Sequence, residues 1–110
     1  MSNDIVQIKM ILPELEGLRM AYAKAFHEFN AENKMESLLL VHAKHLAHKI
    51  DMMWRRQQYK NTIALTEPEA MAYYEWWLLI HQPLDTFCAN AVQKIFVRID
   101  GKHANAKALR

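Results

Sequence analysis

Residues 34–60 read KMESLLLVHAKHLAHKIDMMWRRQQYK, twenty-seven positions without a proline or a glycine. At 100° per residue Met35, Leu39, Ala43, Leu46, Ala47, Ile50, Met53 and Trp54 cover one continuous face, the periodicity of an amphipathic helix with that face in the core. Asn33 followed three residues later by Glu36 supplies a capping box at its start. Nothing interrupts the pattern before Asn61, so one helix from Lys34 to about Lys60, roughly 40 Å long at 1.5 Å per residue, is predicted as the spine of the fold.

Upstream, Asn3 to Met10 is a short segment, apolar at Ile5, Val6 and Ile8. Pro13 then suits the first turn of a helix reaching about Phe29, because its missing amide is an orphan there anyway. Downstream, Thr66-Glu67-Pro68-Glu69 repeats the start signal and predicts a third helix to about His81. Gln82 before Pro83 predicts a break, followed by a fourth helix from Leu84 to Ile99. Gly101 is the expected left-handed cap of that helix, with residues 102–110 a tail prone to fraying. No internal repeat is evident.

The expectation is therefore an all-α domain over residues 1–110, a four-helix bundle or orthogonal helical array with a long second helix. Only two glycines in 110 residues agree with helices and nearly exclude an all-β chain. A domain of this length can bury about two-thirds of its unfolded surface without staples. Cys88, the single cysteine, cannot form an internal disulfide and reads as a small core residue. The N-terminus lacks the pattern of a signal peptide, and apolar runs such as Trp76 to Ile80 fall far short of the ~20 residues that cross a bilayer. A soluble, cytoplasmic protein with no membrane partner is expected.

Charge is segregated along the chain. Residues 1–33, 34–60, 61–93 and 94–110 carry net charges of −2, +4, −4 and +4, while the total is only +2. Opposite its core face, the second helix gathers Lys44, His45, His48, Lys49, Arg55, Arg56 and Lys60, with Val41, Met52 and Tyr59 among them. Two readings are open. The cations form a footprint for phosphate in nucleic acid or a nucleotide, with Tyr59 stacking on a base. Alternatively, they are a solvated face paired with acidic residues of the same or another subunit, where exposed pairs contribute little energy. Lys94, Arg98, Lys102, Lys107 and Arg110 add a basic C-terminal end.

Helix three is apolar around most of its circumference. Tyr73, Tyr74, Trp76 and Trp77 point in at least three directions, so they form either one aromatic core or an anchor surface for a partner. A protein partner or a second copy in a homo-oligomer is the favoured expectation.

Catalytic and metal-binding signatures are sparse. His42, His45 and His48 stand at three-residue steps, but the first and third diverge by about 120° and one ion cannot readily take all three. There is no Glu-x-x-His step, no His-Glu-x-x-His pattern and no glycine-rich phosphate loop. No metal or cofactor is expected, and no enzyme. The run Arg98-Ile99-Asp100-Gly101-Lys102-His103 resembles, over six residues of 110, the arginine–histidine signature of the HEPN family of small helical ribonucleases. That resemblance would imply Arg98 and His103 acting on an RNA phosphodiester at a dimer interface. The leading expectation is a non-catalytic, self-associating interaction protein that regulates or inhibits a macromolecular partner, a small unadorned domain of the kind mobile elements commonly encode. It would use Lys44, His45, His48, Lys49, Met52, Arg55, Arg56, Tyr59, Lys60, Tyr73, Tyr74, Trp76 and Trp77.

Overall fold

A computed structural model of the chain describes residues 4–80 and 83–108, with side chains for 6–80 and 83–101. The order is β1 (Asp4–Ile11), α1 (Leu12–Glu28), α2 (Lys34–Arg55), β2 (Lys60–Thr66), α3 (Glu67–Leu79) and α4 (Thr86–Ala108). The chain is mainly α, and the all-α expectation is corrected by an antiparallel ribbon of β1 and β2. Two short runs with a period of two form it. Val6, Ile8 and Met10 are buried while Gln7 and Lys9 are exposed, and Ile63 and Leu65 face the core from β2. Pairing of Val6 with Leu65 and Ile8 with Ile63 seats one apolar face on the helices.

The second helix stops at Arg55, one turn short of the expected Lys60. Gln57 adopts φ 56°, a left-handed conformation that reverses the chain, and its amide donates to the Trp54 carbonyl at 3.0 Å. Tyr59 and Lys60 therefore leave the helix. The Tyr59 carbonyl instead accepts the Leu12 amide at 2.8 Å, extending the ribbon to the first residue of α1.

Each strand runs straight into a helix through the same device. Ile11 N–H donates to Glu14 Oε1 at 2.9 Å, and Thr66 N–H donates to Glu69 Oε1 at 3.0 Å, each glutamate following a proline in the first turn. Pro13 and Pro68 lie 55 residues apart, as do Glu14 and Glu69, and the strand pairing includes Ile8 with Ile63, also 55 apart. The chain is thus two successive βαα units, β1-α1-α2 and β2-α3-α4, paired through their strands as a two-fold relation requires. This corrects the reading that no repeat exists. The first helix of each unit packs on the second helix of the other, α1 on α4 and α3 on α2. Each capping glutamate also meets a lysine from the other unit: Glu14 takes Lys94 at 2.9 Å and Glu69 takes Lys49 at 3.9 Å. Burial pushes both carboxyls up, but the capped amide and the lysine outweigh it and hold each below the ordinary 4.5.

Gly101 does not cap α4. The helix continues through it to Ala108, and no glycine has a positive φ among the described residues. The start of α4 is set by Asp85, whose Oδ1 accepts the Cys88 amide at 2.8 Å. His81 and Gln82, where helix three was expected to end and the chain to break, lie outside the described residues.

The core joins the ribbon to all four helices and is rich in rings. Trp76, Trp77 and Tyr73 are buried within the chain, at 1%, 8% and 2% exposure. Their expected role as a partner surface is corrected: the aromatic excess of α3 is used on α1, where Tyr22, Phe26 and Phe29 meet the two tryptophans with centroids 4.8–5.6 Å apart. Two buried tyrosines differ in one respect. Tyr73 donates its hydroxyl to the Val92 carbonyl at 2.9 Å, whereas the Tyr22 hydroxyl lies beside the Trp77 indole N–H without a well-formed hydrogen bond. Removing an unpaired buried hydroxyl relieves a desolvation cost, while removing a paired one forfeits a net bond of about 1 kcal/mol. Tyr22→Phe is accordingly expected to leave the urea midpoint unchanged or raise it, and Tyr73→Phe to lower the unfolding free energy by about 1 kcal/mol. Equal losses in the two variants would contradict the difference in pairing.

Candidate partner-binding surface

α2 packs on α1 and α3 through Ala43, Leu46 and Ile50, leaving its opposite side to solvent. Along that side Lys34, Leu38, Val41, His45, His48 and Met52 follow steps of four and three residues, the spacing of a coiled-coil seam. Val41 is 64% exposed and Met52 is 48% exposed, so the seam is apolar as well as basic. Leu38, absent from the expected set, is half uncovered too. Met35, assigned to the core by the helical wheel, is 66% exposed, a correction to that assignment.

The cations divide into two groups. Lys49 lies beside Glu69 and also donates to the Ala64 carbonyl at 3.2 Å, fastening α2 to the edge of β2. Arg55 reaches Asp51 at 2.7 Å, and Arg19, stacked 3.8 Å over Trp54, approaches the same carboxylate at 3.6 Å. The hydrogen bond from Arg55 is the main reason the Asp51 carboxyl sits below its usual value. Lys44, Arg56 and Lys60 are exposed and make no ion pair among the described residues. His45 and His48 are exposed on the seam. The basic face is therefore partly neutralised from within and partly free.

α3 offers a second seam that the sequence reading missed. Glu67, Met71, Tyr74 and Leu78 follow the same four-three-four steps, with Glu75 alongside. Met71 and Leu78 are about half exposed. Tyr74 is half-buried, its ring stacked on Phe96 at 4.3 Å, and a hydrogen bond to Asp100 raises its hydroxyl pKa. No lysine or arginine occurs from residue 61 to 93. The signal was present in the spacing of two glutamates and two large apolar residues, but the aromatic run drew attention to the buried side.

Arg98 is exposed on α4, and the side chain of His103 lies outside the described residues. Cys88 is buried, and burial together with the Asp85 carboxylate pushes its thiol up to about 11, so it is an unreactive core group. No helix among the described residues is long and apolar enough to cross a membrane. No family model, curated protein or solved structure matches this chain.

Proposed function

We propose that this chain is a non-catalytic interaction protein whose α2 seam docks against an acidic, apolar helix, and that the α3 seam of a second copy is one such helix. The observation that carries the reading is the four-three seam of Leu38, Val41 and Met52 set among histidines and lysines and left uncovered by the described residues. Apolar knobs at this spacing suit a helix partner, and the flanking charge selects an acidic one. Within one molecule the apolar knobs of the two seams do not meet: α2 and α3 face each other through Ala43 and Leu46 on one side and Ala72 and Tyr73 on the other, with His45 at the border beside Glu69. Run antiparallel, a neighbouring molecule brings Glu67 to Arg56 and Glu75 to His45, and Met71 and Leu78 to Met52 and Val41.

Light scattering across a concentration series tests this. Association is expected below ~1 mM, the range in which an interaction of about 4 kcal/mol is visible. Glu67→Lys with Glu75→Lys should weaken it roughly tenfold, a loss of about 1.4 kcal/mol. Adding His45→Glu with Arg56→Glu to the same chain should restore most of the loss. A protein that stays monomeric throughout, or a charge reversal without effect, defeats the proposal.

A further inference from the structure

We propose that the flank between β1 and α4 binds the phosphodiester backbone of single-stranded nucleic acid. A groove of about 510 Å³ runs there, lined by Gln7, Ile8, Lys9, Thr62, Lys94 and Arg98. Three of the six are cations and none is an acid. Lys9 and Arg98 are exposed and make no ion pair among the described residues, while Lys94 is held by both Glu14 oxygens at 2.9 Å and so has a fixed position. Glu14 offsets part of the local charge and is not among the residues that line the groove. Gln7 and Thr62 add an amide and a hydroxyl, groups that hydrogen-bond phosphate and sugar oxygens.

The strand register extends this basic strip. Lys9 pairs with Thr62 and Ile11 with Lys60, so Lys9, Thr62 and Lys60 share the outer face of the ribbon. Tyr59, 60% exposed, immediately precedes Lys60. A cationic track with an exposed aromatic ring at one end is the combination that holds single strands without reading their sequence. An acidic peptide would use the cations but gain nothing from the ring.

The repeat gives an independent reason to regard the flank as open for a ligand. Lys9 is the position equivalent to Ala64, 55 residues earlier in the other unit. At Ala64 the edge of β2 is closed by Lys49 from α2. At Lys9 the side chain is exposed and lines the groove between β1 and the α4 that packs on it. The two units are alike in topology and differ where a ligand would enter.

Fluorescence anisotropy with labelled DNA and RNA single strands of about 12 nucleotides, from about 50 to about 200 mM salt, tests the proposal. Both are expected to bind, since the recognised group is common to them. Lys9→Glu with Arg98→Glu should weaken binding at least tenfold and reduce the slope of log affinity against log salt by about 1.4, two phosphate contacts at ~0.7 each. Lys9→Gln with Arg98→Gln should give a smaller loss in the same direction, and thermal melts should show that both variants stay folded. Lys44→Glu, on α2 and outside both the groove and the self-association contacts, should leave affinity within about twofold. Failure of both oligonucleotides to bind at low salt would overturn the assignment. So would a loss confined to the α2 variant, or competition by polyglutamate as effective as that by unlabelled oligonucleotide. Because none of these readouts depends on self-association, a monomeric protein that binds through the groove would separate this proposal from the previous one.

Discussion

Trp76→Ala is expected to lower the unfolding free energy by about 3–5 kcal/mol, the cost of deleting a fully buried indole. A domain of this size has about 5–15 kcal/mol in total, so the variant should be largely unfolded at moderate urea concentrations. The side chain is 1% exposed and touches both layers of the aromatic cluster, with Phe29 at 4.8 Å, Phe26 at 5.6 Å and Trp77 at 6.3 Å between centroids. Little of the space can be refilled, because those neighbours are rigid rings anchored on two helices. The comparison that matters is with an interface role. Were Trp76 an anchor for another molecule, its removal would change association and spare the monomer. A urea melt within about 1 kcal/mol of the parent would therefore contradict the buried placement.

Gly17→Val is expected to cost about 1–3 kcal/mol, through overpacking where α1 crosses α4. A Cβ on Gly17 would stand 3.1 Å from the Phe87 carbonyl oxygen and 3.2 Å from Ala91 Cβ. The first of these is backbone and cannot turn aside. Gly17→Ala is a useful companion, because a helix gains about 1 kcal/mol on exchanging glycine for alanine and the close contact takes back a similar amount. Near neutrality for alanine and a clear loss for valine, read from thermal melts, would identify the helix crossing as the cause. If valine matched alanine, the two helices would have to be farther apart than described.

The helices were legible because capping and periodicity are local. Asn33 accepts the Glu36 amide at 2.9 Å, and Thr66 with Glu69 closes a reciprocal box, as the spacing foretold. The ribbon was not legible for a physical reason: its strands lie some fifty residues apart, and runs of seven or eight residues become strands only when a partner supplies the ladder. Lacking that pairing, the reading carried helix two through Tyr59 and Lys60 and merged their charge with that of Lys44. Gln57 gave no warning, since glutamine rarely marks a left-handed turn. The repeat escaped because its signature is a proline–glutamate step at each junction, with little likeness elsewhere. For the candidate site, the exposure of Met52 and Val41 followed from the helical wheel. The fates of Trp76 and Trp77 did not, because a helix apolar on every side does not say which side its neighbours cover.

The pairing of two βαα units through single strands has a consequence for biosynthesis. When the first unit leaves the ribosome, Val6, Ile8 and Met10 face water and the outward groups of β1 have nothing to bind. Neither unit has a closed interior until residues 60–66 arrive and zip against the start of the chain. Closing so long a loop is an entropic toll levied early, and the nascent polypeptide must carry an unfinished, adhesive edge while the nearly fifty residues between the strands are made.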